Sequence, residues 1–121
     1  MQLLNNIFVV NEMQVDADQA KVSGVLNPEH PIFAAHFPGQ PILPGVCQVR
    51  IATELLRAIE KKHLQLSTAK NIKYIGLITP DNKPVEVYFA NITRRDDGLD
   101  CRVVFQSGGE VLSKMSLSYS L

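Results

Sequence analysis

The sequence predicts an α+β domain in which one antiparallel β-sheet curls around a single long, mostly enclosed helix. Three observations carry this reading. An apolar run from Val46 to about His63 has helical spacing, strand-like segments lie on both sides of it, and the turns between the later segments are too short for crossovers. No strand–helix unit repeats, which argues against a parallel sheet. The 121 residues, 45 % hydrophobic and 20 % charged, suit one domain spanning 1–121. A chain of that size typically buries roughly two thirds of its unfolded surface, so it needs no staples.

Ile7 to Met13 is apolar and partly β-branched, Asp16-Ala17-Asp18-Gln19 breaks it, and Ala20 to Leu26 alternates, so two strands joined by a turn are expected. Asn27-Pro28-Glu29-His30-Pro31 ends the second strand, and Ile32-Phe33-Ala34-Ala35 leads into a proline-rich loop. In the helix, Val46, Val49, Ala52, Leu56 and Ile59 recur at three- and four-residue steps, and Ile51, Leu55 and Ala58 widen the apolar surface. Arg50, Glu54, Arg57 and Lys61 fall on one side, which should face water or a partner. Four further strands are expected at Ile72 to Thr79, Val85 to Ile92, Leu99 to Ser107 and Glu110 to Tyr119. The turns between them are 80–84, Asp96-Asp97-Gly98 and Gly108-Gly109.

Composition excludes several classes of function. Lys plus Arg and Asp plus Glu both total 12, so no net charge draws the chain to nucleic acid or to a membrane. Cys47 and Cys101 belong to no CxxC or Cys/His cluster and read as reduced thiols, with no metal site. Residues 1–6 lack the basic flank and apolar core of a signal peptide, and no run approaches transmembrane length. The expectation is a cytoplasmic protein with no membrane span.

Chemistry concentrates at His36-Phe37-Pro38-Gly39-Gln40-Pro41-Ile42-Leu43-Pro44-Gly45, where three prolines and two glycines in ten residues impose a fixed, non-repetitive shape. The helix starts directly behind it, so the amides of Gly45, Val46 and Cys47 should be unpaired in the first turn. That is a site for an oxygen carrying partial negative charge.

His36-Phe37-Pro38-Gly39, Pro41 to Val46, the helix, and Lys70-Asn71-Ile72-Lys73-Tyr74 to Pro80 with its trailing hairpins resemble the hot-dog-fold β-hydroxyacyl-acyl-carrier-protein dehydratases of fatty acid synthesis. The resemblance covers nearly the whole chain, although only the proline loop is highly specific. It implies a wrapped helix, a homodimer with two sites at the subunit interface, and a thioester substrate on acyl carrier protein or coenzyme A. It implies no cofactor. His36 would be the base at the carbon beside the thioester carbonyl, and the Gly45 amide would polarise that carbonyl. Phe37, Pro38, Gly39, Pro44 and Val46 would line the substrate. Imidazole titrates near neutral pH and a helix N-terminal amide stabilises a developing enolate oxygen, so these roles are chemically sound.

The family's helix carboxylate, contributed by the other subunit, lies fourteen positions after the histidine, and this chain has Arg50 there. A guanidinium stays protonated and has no lone pair, so it cannot serve as the acid for the leaving hydroxyl. Glu54 is the nearest helical carboxylate, but four residues displace it roughly 6 Å along the axis. Three readings follow. The chain is a divergent dehydratase assisted by water, Glu54 or the Arg50 cation; or a catalytically weak subunit of a heterodimer with a related, active chain; or a thioesterase or acyl-thioester binding module, in which Arg50 binds an anion or a carbonyl. Arg50 also reads simply as a surface residue paired with Glu54.

Other candidates have plainer readings. Cys47 is better read as a small core residue than as a nucleophile. His63 suits the helix C-terminus, and His30 reads as a solvated loop residue. Lys61, Lys62, Lys70, Lys73, Arg94 and Arg95 are the candidates for docking an acidic carrier.

Overall fold

Alternating burial along β-segments decides which side chains meet the helix, and strand pairing sets their order. The computed structural model describes residues 6–36 and 39–121, with residues 35 and 36 described in their backbone only. Six strands form one sheet in the order β1-β2-β4-β5-β6-β3, and every neighbouring pair is antiparallel. They are β1 (Phe8–Val15), β2 (Ala20–Leu26), β3 (Gln65–Tyr74), β4 (Val85–Arg95), β5 (Gly98–Ser107) and β6 (Glu110–Ser120). Helix α1 (Pro31–His36) and the 16-residue helix α2 (Gly45–Glu60) lie between β2 and β3.

Period-two burial in β2, β5 and β6 turns Val22, Val103, Phe105, Met115, Leu117 and Tyr119 onto the face that receives Ile51, Ala52, Leu55 and Leu56 of α2. Two hydroxyl contacts orient the helix within this apolar contact. The Thr53 hydroxyl donates to the Val49 carbonyl at 2.9 Å, which leaves the Tyr119 hydroxyl to donate to Thr53, also at 2.9 Å. Ser113 Oγ donates to Gln48 Oε1 at 2.7 Å. Among the described residues no buried side-chain polar atom lacks a partner.

The structure shifts several boundaries. The expected strand Ile72 to Thr79 is instead β3, from Gln65 to Tyr74. Register shifts at Leu66/Thr68 and Lys70/Lys73 break its two-residue period, and most of its residues are exposed, so its amphipathic signal is weak. The chain after β3 is held by the Ile75 and Gly76 amides, which donate to Leu112 O at 2.8 and 3.0 Å. The long helix stops at Glu60, short of His63, because Lys61 takes a left-handed conformation at φ 55°. Helix α1 replaces a loop. His30 is buried, and its Nδ1 accepts from the Ile32 amide at 3.2 Å, so it caps that short helix and is not solvated.

Candidate active site

Helix α2 begins without a side-chain cap and without an acidic residue in its first turn. Pro44 is its N-cap, in extended conformation. The Pro44 carbonyl accepts from Cys47 N at 3.0 Å and Gln48 N at 3.2 Å, so the expected open Cys47 amide is in fact engaged. The Gly45 and Val46 amides meet no acceptor among the described residues. Two donors and the positive end of the helix dipole therefore point out of the first turn.

Gly45 fits closely against a neighbouring side chain here. A Cβ at this position would collide with the Tyr74 ring, which lies against the start of the helix. Burial raises the Tyr74 hydroxyl's pKa, keeping it a neutral donor. Around this contact, Val46, Tyr74, Ile75 and Leu77 are 53–74 % exposed, an apolar rim beside the open amides. Leu43 N donates to Ile78 O at 2.8 Å, tying the proline loop to the segment after β3. Between them lies an open cleft of about 440 Å³, lined by Gly39, Pro41, Ile42, Leu77, Thr79 and Pro80 among others.

Gly39 (φ 85°), Pro44, Gly45 and Val46 thus stand along this face, although Val46 points outward and not into the core. His36 is the last residue of α1 and is described in its backbone only, while Phe37 and Pro38 lie outside the described residues. Arg50 and Glu54 occupy successive turns of α2, with Arg50 Nε 3.6 Å from Glu54 Oε2. Glu54 is buried, so the expected polar side of the helix is not uniformly wet. Arg57 belongs to the structure at the other end, where its Nε donates to Leu64 O at 2.8 Å.

Burial raises the pKa of the Cys47 thiol, which fits a core residue and not a nucleophile. Among the described residues no group of three or more His, Cys, Asp or Glu could hold a metal, and no helix is long and apolar enough to cross a membrane. Sequence reasoning missed the rim. Tyr74 carried no signal of its role, because the role depends on tertiary packing against Gly45.

A family model for the ApeI-like proteins, described as ApeI dehydratase, matches residues 12–107. This chain belongs to the ApeI-like dehydratase family. Its fold is shared by solved structures of low sequence identity. The dehydratase heterocomplex ApeI:P from Xenorhabdus doucetiae matches at TM-score 0.80 and 18 % identity, over 94 % of this chain and 98 % of that one. An uncharacterized protein from Erwinia carotovora matches at TM-score 0.67 and 20 % identity, over 94 % of both chains. A sigma28-regulated virulence protein from Campylobacter jejuni matches at TM-score 0.70 and 13 % identity, over 95 % of this chain and 83 % of that one. No curated relative matches the chain. The hot-dog architecture expected from the proline loop is therefore the observed one, and the family is a dehydratase family.

Proposed function

We propose that this ApeI-like chain supplies the base and the oxyanion donor of a 3-hydroxyacyl thioester dehydratase, and that a related second chain supplies the carboxylate. The observation that carries the proposal is the open α2 N-terminus, whose Gly45 and Val46 amides meet no acceptor among the described residues and stand beside an exposed apolar rim. In this reading the thioester, on acyl carrier protein or coenzyme A, lays its carbonyl oxygen on the Gly45 amide. His36 takes the C2 proton, and that C–H pair becomes the C2=C3 double bond through an enolate-like state. The C3–O bond breaks, and the departing hydroxide takes a proton from a carboxylic acid and leaves as water.

Arg50 cannot supply that proton. Glu54 lies one turn away, against Arg50. A second chain is therefore the source of the acid, and the heteromeric assembly named for the Xenorhabdus neighbour supports this division.

The test is interconversion of 3-hydroxyacyl and trans-2-enoyl coenzyme A thioesters by the purified chain. Wild type should be slow, Arg50→Glu should gain activity, and adding His36→Ala should abolish that gain. Full activity retained in His36→Ala, or no gain in Arg50→Glu with the fold intact, would overturn the proposal.

A further inference from the structure

The sheet has two free edges, β1 and β3, and β3 is the one beside the candidate site, because its last residue, Tyr74, lies against Gly45. An edge strand leaves backbone donors and acceptors unpaired and invites another strand. Leu66 and Tyr74 stand on the inner face of β3, opposite the buried Tyr119 and Ser113, Ile75 and Leu77 follow in the chain, and all four are between 42 and 68 % exposed. A partner strand would cover them and would bring its helix toward the α2 N-terminus.

The outer side of the same edge is basic. The register shift around Asn71, which sits at φ 54°, turns Lys70 and Lys73 onto one face. Lys73 stands directly opposite Lys114 of β6, and Ser116 stands opposite both Lys70 and Arg102. All four cations are exposed, and Lys73, Arg102 and Lys114 border an open hollow of about 720 Å³. None of the four meets a carboxylate at salt-bridge distance among the described residues. The nearby carboxylates have closer partners, Asp100 in Arg95 at 2.5 Å, with the charge of Lys70 acting on it more weakly, and Glu86 in Lys21 at 3.1 Å. Like charges directly opposite each other on a sheet are destabilising, so this arrangement carries a cost that an acidic neighbour would remove.

We propose that β3 is a selective pairing edge whose occupant is the edge strand of a related chain carrying carboxylates on its outer face, and that these cations select against a second copy of this chain. This rests on the two-chain reading above and names the chemistry of the partner. Two copies joined β3 to β3 about a two-fold axis, with their apolar faces aligned, would place the lysines of both on one outer stripe. Repulsion against the wrong partner and attraction to the right one then act through the same residues.

The partner's chemistry can be supplied by the chain itself. Wild type is mixed with its Lys70→Glu/Lys73→Glu variant, and the dimers are counted by native mass spectrometry, with circular dichroism confirming that the variant is folded. A Lys61→Glu/Lys62→Glu variant, with the same charge change beyond the end of α2, serves as control. Mixed dimers of the β3 variant should exceed the binomial ratio. Their dissociation constant should be about tenfold below that of wild type. The gap should close between about 0.1 and 1 M salt, where the screening length falls from roughly 10 to 3 Å. A binomial distribution, an equal preference in the control, absence of dimers in every mixture, or open chains built by β1 against β3 would each overturn the proposal. The pairing readout does not depend on turnover. Mixed dimers that remain inactive with Arg50→Glu present would count against the dehydratase reading alone, whereas turnover by randomly paired dimers would count against the edge rule alone.

Discussion

The two ends of helix α2 are built on opposite terms. At the C-terminal end Glu60 receives Arg94 through Nε at 2.7 Å and Nη2 at 2.9 Å, and Arg94 also donates to Ala17 O at 2.6 Å. Arg57 ties the same end to Leu64 O. At the N-terminal end, among the described residues, there is no side-chain cap, the Gly45 and Val46 amides meet no acceptor, and Tyr74 packs where a Cβ would otherwise stand. Fastening one end through charge-assisted hydrogen bonds lets the other keep its donors free for a ligand. The helix is anchored where it has no chemistry to perform.

The strongest way to break this contrast is at Gly45. Gly45→Ala sets a methyl against the end of the Tyr74 ring, which must swing off the start of the helix, and should cost about 1–2 kcal/mol in urea unfolding. The double variant Gly45→Ala/Tyr74→Ala should recover part of that loss, since the clash is with one side chain. Additive losses would mean that the two residues are not coupled in this way.

At the other end the expected effect is smaller. Arg94→Ala should cost about 1 kcal/mol at neutral pH, as befits a partly exposed bidentate pair. The Arg94 hydrogen bond, which outweighs the opposing effect of burial and is joined by the charges of Arg94 and Lys62, lowers the Glu60 pKa below its ordinary value. Its contribution to stability is therefore present above the usual carboxylate range and is lost as pH falls through that range toward the folded-state pKa. Stability measured from neutrality downward should fall less steeply in Arg94→Ala than in wild type. Parallel curves would remove Glu60 from the acid response.

The smallest effect is a rate. Burial raises the pKa of Cys47 and pushes that of Cys101 up to about 12. Both thiols should resist iodoacetamide at neutral pH until the chain unfolds. Rapid native alkylation of Cys47 would show that the first turn of α2 opens as well as presenting its amides.

What was legible in the sequence follows the same contrast. The core strands could be read because their burial alternates, as in Val22-Ser23-Gly24 or Val103-Val104-Phe105. The proline loop could be read because proline and glycine restrict the backbone locally. β3 could not, because register shifts hide which of its residues share a face, and α1 is only six residues long. The basic surface can be read from the sequence only in part. Arg94 and Arg95 are taken by Glu60, Asp97 and Asp100, while Arg102 and Lys114, distant in sequence, join Lys70 and Lys73 through strand pairing. Tyr74 is a feature of the site only because the fold lays it on Gly45.

The central claim is that this chain holds the proton-abstracting half of a dehydratase site. It is tested most directly by exchange of the C2 hydrogens of a 3-hydroxyacyl coenzyme A thioester in deuterium oxide, followed by proton NMR. The purified chain should catalyse this exchange without needing the leaving-group acid, and His36→Ala should reduce it to the uncatalysed rate. Exchange at the same rate in both proteins, or none above background in either, would contradict the claim.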